Sequence, residues 1–365
     1  HTDAVVVNVV ESTGSKPKAA SRRSSGPADV LGRIVEAEKG KKDIYSARLQ
    51  PGAAIKLTAD DDLTLDIPDG FAINTADINI SRYDNQEELM KKFTGMKLLS
   101  PIYDISFSTG AGRGGSVNLS FRFGAGQTAD LRRVAVYRLN EQWGRWDYIG
   151  GTIDSERGII TVRLSSFSKY AVLENSSLRM LDDMDGARWS RDVIYSLVHM
   201  NIVEGIKMGE GYYYMPDNYI TRAEFMKMLS LGLEAGDTET DKASLPFADN
   251  DDIPDWALSH VKAAYANGWV NGRLVGDKRL FGPKEQITRE EACAILGRML
   301  GDGVRPKGVY FTDRNQVAKY AINYLDILAD MGVLSGYGDD TFRPKSLITR
   351  EEAAAMVDKY LKNAS

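Results

Sequence analysis

Ile348-Thr-Arg-Glu-Glu352 decides the fold of the second half of this chain, because the pattern recurs as Ile220-Thr-Arg-Ala-Glu224 and Ile287-Thr-Arg-Glu-Glu291. Each copy follows a proline by four positions, at Pro216, Pro283 and Pro344. Working outward, an aromatic residue opens a helix upstream of each copy, at Trp189, Trp256 and Tyr320. Seven residues before each aromatic lies an aspartate (Asp182, Asp249, Asp313), and sixteen after it a glycine (Gly205, Gly272, Gly336). Self-similarity of this kind marks a repeat architecture.

Each repeat has a readable physics. Ala257, Val261, Ala264 and Tyr265 fall at i, i+4, i+7 and i+8, one face of a helix. The matching positions are Ser190, Ile194, Leu197 and Val198 in the first copy, and Ala321, Leu325, Leu328 and Ala329 in the third. Gly268 and Gly332 end their helices in left-handed caps, with Asn201 in that place in the first copy. A Gly-rich turn follows, and a second helix starts at the Thr of the motif. No single copy carries enough apolar surface to stand alone.

Thr221 with Glu224, Thr288 with Glu291, and Thr349 with Glu352 are capping boxes, the Thr side chain accepting from the backbone three residues on and the Glu reaching back. Capping does not need the arginine between them, and a cation in a first turn opposes the helix dipole. Arg222, Arg289 and Arg350 nevertheless hold that position throughout. Two readings stand open: an anion site at a helix N-terminus, or an internal ion pair with Asp182, Asp249 or Asp313.

Phe311-Thr-Asp313, the aromatic-led helix, the Gly-rich turn, Phe342-Arg-Pro344 and Ile348-Thr-Arg-Glu-Glu352 together resemble the S-layer homology domain, in three tandem copies from about Met180 onward. The resemblance implies grooves between repeats that bind secondary cell-wall polysaccharide, often pyruvylated, or a peptidoglycan-associated polymer. By position, Arg222, Arg289 and Arg350 would receive the pyruvate carboxylate, and Asp182, Asp249 and Asp313 would accept from sugar hydroxyls. Gly205, Gly272 and Gly336 would let backbone approach the ring. Trp189 and Trp256 either stack on sugar faces or belong to the core. The first copy departs from the pattern at Met180 and Asn201, and the second carries Arg273-Leu-Val-Gly-Asp277 in its turn. The implied role is non-covalent anchoring of an extracellular protein of the bacterial cell wall or S-layer. The competing role is the wall anchor of a surface glycan-active enzyme.

Before Asn175 the period is two: Val117, Leu119, Phe121 and Phe123; Val134 and Val136; Ile160 and Val162. Turns such as Gly110-Ala111-Gly112 separate these runs, so an antiparallel β-sandwich is expected, with a helical insert at Asn85 to Phe93. Ala4 to Val10 reads as a strand and Glu11 to Pro27 as a flexible linker. Ile67-Pro-Asp-Gly70, Leu98 to Asp104 and Val117 to Phe123 resemble ZU5-like domains. Spacer, protein-interaction or self-association domain, and carbohydrate-binding module all remain open for it, the last on Trp143 and Trp146.

The expected fold is therefore multidomain, an antiparallel β-sandwich followed by an all-α pseudo-threefold bundle of three helix-loop-helix repeats. Its expected limits are 1–30 for strand and linker, 31–175 for the sandwich, and 176–244, 245–308 and 309–365 for the repeats. A net charge of −5 gives no basic excess for nucleic acid or anionic membrane, and no apolar run of 18 residues could span a bilayer. One cysteine, Cys293, excludes an internal disulfide and reads as a core residue. The three histidines are too scattered for a zinc site or a triad, so neither cofactor, metal nor catalysis is expected. The Asp60-Asp61-Asp62 and Asp249-Asn-Asp-Asp252 runs do not follow the EF-hand pattern and read as solvated loops.

Overall fold

The computed structural model describes residues 8–10, 44–49, 51, 54–108, 115–184, 188–236, 244–300, 308 and 311–363. The expected linker Glu11 to Pro27 and the turn Gly110-Ala111-Gly112 lie outside the described residues, as does Ala4 to Val7 of the expected first strand. The chain divides into two compact units, His1–Leu178 and Arg179–Ser365.

The first unit is two antiparallel sheets. One runs in the order β1 (Asn8–Val10), β3 (Ala54–Ala59), β4 (Leu63–Ile67), β8 (Val117–Arg122), β12 (Ile159–Leu164), β11 (Thr152–Asp154). The other runs β10 (Arg145–Gly150), β9 (Val134–Asn140), β13 (Lys169–Asn175), β7 (Tyr103–Phe107), β5 (Ala76–Arg82), β2 (Ile44–Leu49), with β6 (Met96–Leu98) also paired to β13. Alternation puts Val117, Leu119 and Phe121 inward against Val136, Tyr170 and Val172 in one shared core. Helix α1 (Gln86–Met90) lies in the expected insert, and Leu89 and Met90 pack on a smaller cluster around Tyr137 and Leu173. Trp146 belongs to that cluster, edge-on to Phe93 at 6.0 Å, while Trp143 is exposed. The two tryptophans therefore do not form a joint platform.

The second unit carries helices in pairs. The aromatic-led helices are α2 (Arg191–His199), α4 (Asp255–Ala266) and α6 (Ile322–Asp330), and the motif-led ones are α3 (Arg222–Gly232), α5 (Arg289–Arg298) and α7 (Arg350–Asn363). Asn201, Gly268 and Gly332 take φ values of 57°, 73° and 71°, the left-handed caps the sequence asks for.

This unit is not all-α, and the expected fold is corrected on that point. Strands β14 (Ile206–Met208) and β15 (Gly211–Tyr213) form one hairpin, and β16 (Arg273–Val275) and β17 (Lys278–Leu280) another. Both loops have two residues and open on a glycine of positive φ, Gly209 and Gly276, the conformation such short loops demand. Ile-Lys-Met and Arg-Leu-Val next to those glycines suit strands, and pairing satisfies backbone groups that an open loop would leave to water. Isolated β-bridges also join Tyr219 to Thr349, Thr221 to Gln286 and Thr288 to Leu347. Through them the three motif isoleucines close a backbone ring. Ile220 N–H donates to Ile348 C=O (3.2 Å), Ile348 N–H to Ile287 C=O (3.1 Å) and Ile287 N–H to Ile220 C=O (3.1 Å).

Candidate glycan-binding grooves

Each motif-led helix begins in a complete capping box, with Thr221, Thr288 and Thr349 paired to Glu224, Glu291 and Glu352. The next N–H groups of the helix are taken by the neighbouring repeat. Arg222 N–H reaches Glu285 C=O, Arg289 N–H reaches Ser346 C=O and Arg350 N–H reaches Asn218 C=O, all within 2.9 Å. The N–H groups of Ala223, Glu290 and Glu351 reach the carbonyls of Pro283, Pro344 and Pro216. A helix start whose donors are already bonded is not an open anion nest, so the N-terminal part of the anion reading fails.

The arginines close the same ring. Arg222 Nε donates to Phe281 C=O (2.8 Å), Arg289 Nε to Phe342 C=O (2.7 Å) and Arg350 Nε to Tyr214 C=O (2.8 Å). Their Nη1 groups pair with Glu291 (3.3 Å), Glu352 (3.4 Å) and Glu224 (2.5 Å). Thus each arginine grips the capping-box glutamate of another repeat, and none of these bonds involves Asp182, Asp249 or Asp313. Burial pulls the Arg222 guanidinium below its ordinary value, opposed by Glu291.

Asp249 and Asp313 have a structural task. Asp249 accepts from the N–H of Phe281 and Gly282, and Asp313 from Phe342 and Arg343, all at 2.8 Å. In the first repeat Asp183, not Asp182, does this for Tyr214 and Met215. Asp182 aligns instead with Ala248 and Thr312: the three N–H groups bond to Tyr212, Arg279 and Asp340 carbonyls. The first copy of the Phe-X-Asp motif is therefore Leu181-Asp-Asp183, one residue later than the spacing implied. The turn glycines are required by packing within the repeat. A Cβ on Gly205 would lie 2.5 Å from Leu181, and on Gly272 or Gly336 2.7 Å from Phe247 or Phe311.

Three grooves result. The first has a volume of ≈ 170 Å³ and is lined by Gly205, Glu224, Lys227, Trp256 and Arg350. The second, of ≈ 270 Å³, is lined by Arg222, Gly272, Arg273, Glu291, Arg298 and Tyr320. The third, of ≈ 170 Å³, is lined by Trp189, Arg289, Gly336, Tyr337, Glu352 and Lys359. Trp189, Trp256 and Tyr320 are 61%, 48% and 47% exposed, so none is a core residue. Each groove thus combines an aromatic face, an Arg–Glu pair from two repeats, a second cation and the backbone of a glycine turn. Tyr320 and the cations Lys227, Arg298 and Lys359 were not among the expected site residues. The cations have no common offset to reveal them: Lys227 stands six residues after its motif Thr, Arg298 and Lys359 ten.

The S-layer homology domain model matches residues 246–293 and 310–354, and the chain carries S-layer homology repeats there. The first repeat, outside those two matches, shows the same bonds. Such domains are non-catalytic, bind cell-wall polymers and anchor surface proteins, which places this protein at the bacterial cell surface. The chain is 31% identical to an amylopullulanase of Thermoanaerobacterium thermosulfurigenes over 77% of its length. It is 29% identical to a cellulosome-anchoring protein of Acetivibrio thermocellus over 40%, and 29% identical to a surface-layer 125 kDa protein of Lysinibacillus sphaericus over 32%. The matches span 14%, 33% and 10% of those proteins' own lengths.

Proposed function

We propose that residues 179–365 hold this protein on the cell wall by taking secondary cell-wall polysaccharide, pyruvylated, into the grooves between repeats. One observation carries the reading: all three grooves are lined by an exposed aromatic residue, an arginine and a second cation. Sugar rings stack on such faces through their C–H surfaces, and a ketal carboxylate finds a cation within the same groove. Because Arg222, Arg289 and Arg350 are already paired with glutamates, Lys227, Arg298 and Lys359 share the carboxylate with them. Asp249 and Asp313, occupied by backbone donors, shape the turn rather than hold sugar. The first unit acts as a spacer or an interaction domain, since Trp146 is packed and no tryptophan pair forms a platform.

A second reading has its own support in the similarity to the amylopullulanase. In it the chain is the wall-anchoring portion of a surface-attached glycan-active enzyme. The groove chemistry is the same in both.

Calorimetric titration of the chain with purified secondary cell-wall polymer, before and after acid removal of its ketals, tests the proposal. Binding should be present before and weakened at least tenfold after. Undiminished binding would move recognition to the neutral sugar, and no binding to either would refute the anchor.

A further inference from the structure

We infer that Glu290 and Glu351 are positioning residues that brace the aromatic walls of the second and third grooves and make those two the principal glycan sites. The inference rests on the groove reading above.

Both glutamates lie two residues after their motif Thr, and they are only 5% and 8% exposed. Glu290 accepts from Tyr320 Oη (3.0 Å), from Ala318 N–H (3.0 Å) and from Lys345 Nζ (2.5 Å). It therefore fixes both the ring that walls the second groove and the backbone two residues before it. Glu351 accepts from Ser190 Oγ (2.6 Å) and Arg188 Nε (2.9 Å). These residues flank Trp189, the wall of the third groove, on either side. A buried carboxylate holding two or three donors locks those donors in place, since releasing one leaves a desolvated charge short of a partner.

The first groove lacks this brace. Ala223 stands where Glu290 and Glu351 stand and has no polar side-chain atom. On the other side, Pro254 takes the place of Ala318, two residues before Trp256, and proline has no N–H to give. Donor and acceptor are missing together, so the absence is a matched one. Trp256 instead has Lys227 Nζ 5.9 Å from its ring centre, a weaker and solvent-exposed contact. A ligand stacking on a fixed ring loses less freedom than one that must order the ring on arrival.

The test uses the full chain carrying 5-fluorotryptophan, titrated with oligosaccharides cut from pyruvylated secondary cell-wall polysaccharide and followed by fluorine NMR. The Trp189 and Trp256 signals are identified by their loss in Trp189→Phe and Trp256→Phe. Trp189 should saturate at lower ligand concentration than Trp256. Glu351→Ala should weaken saturation of the Trp189 signal about tenfold, the loss of one charged hydrogen bond, and leave Trp256 unchanged. Glu351→Gln, whose carbonyl oxygen still accepts from Ser190 and Arg188, should restore it, a rescue that separates positioning from charge. Should Glu351→Ala not fold, Ser190→Ala removes one donor from the same brace and should weaken Trp189 in the same direction. In the second groove Tyr320→Phe keeps the ring and deletes its tie. It should lower the total calorimetric affinity without moving either tryptophan titration. Equal saturation of the two signals, or an unaffected Trp189 in Glu351→Ala, overturns the inference alone. If neither signal moves in the wild type, the groove reading falls and takes this inference with it.

Discussion

Arg289 is 4% exposed and gives Nε to Phe342 C=O, Nη2 to Ser335 C=O and Nη1 to Glu352, with its guanidinium 4.9 Å from the Phe342 ring centre. Removing it takes one donor from Glu352, which keeps Tyr337 Oη and Thr349 N–H, and deprives the Phe342 and Ser335 carbonyls of their side-chain donor. Arg289→Ala should therefore cost about 1–3 kcal/mol of stability, read as a lower denaturant midpoint. Lys should not restore it, because an ammonium cannot serve three separated acceptors from one plane. A variant that kept its midpoint and lost only glycan affinity would show the arginine to be a ligand residue first. The sequence marked these arginines as unexplained by capping but did not disclose their partner. Glu352 takes three donors, Oε2 accepting from Thr349 N–H and Oε1 from Arg289 and Tyr337 Oη, and its role in the box hid the tasks of Oε1. The partner also lies 63 residues away, where no local periodicity points. Asp182 matches the spacing of seven to the aromatic found in the other two repeats, but in the first repeat the working interval is six, from Asp183 to Trp189.

Helices were the most legible elements, since apolar period and left-handed cap agree at each aromatic-led helix and a capping box opens each motif-led one. The hairpins were not, because three-residue strands such as Ile206–Met208 are too short to show alternation. A titrating group lies at one contact between helices. His260 on α4 lies 2.6 Å from Ser230 Oγ on α3 through Nδ1, and burial, helped by Lys227, holds the imidazole below its ordinary value. The unfolded chain accepts that proton near pH 6.5, while the folded chain resists it. Stability from this group is thus complete above about pH 6.5 and falls as the solution is acidified. His260→Gln should shrink the drop in melting temperature between pH 7.5 and pH 5.5. A drop of the same size in the variant would mean the imidazole is protonated without penalty in the folded state.

At the scale of the molecule, the second unit is held by bonds that return to their start. The isoleucine ring, the arginine–glutamate ring and the three proline carbonyls each join all three repeats. That closure explains why one repeat's apolar face could look insufficient in the sequence while three repeats make a core around Ile220, Ile287 and Ile348, all essentially inaccessible. It also shapes the grooves, because each is walled by more than one repeat: the first draws Trp256 and Arg350 to the Gly205 turn. Under the proposed function, these grooves hold the wall polymer on their exposed aromatic faces. The most direct measurement is co-sedimentation of the chain with polymer-bearing cell-wall sacculi, compared with a triple Trp189→Ala, Trp256→Ala, Tyr320→Ala variant shown to be folded by circular dichroism. The wild type should pellet and the triple variant should stay in solution. A triple variant that pellets with the sacculi as fully as the wild type would contradict the account.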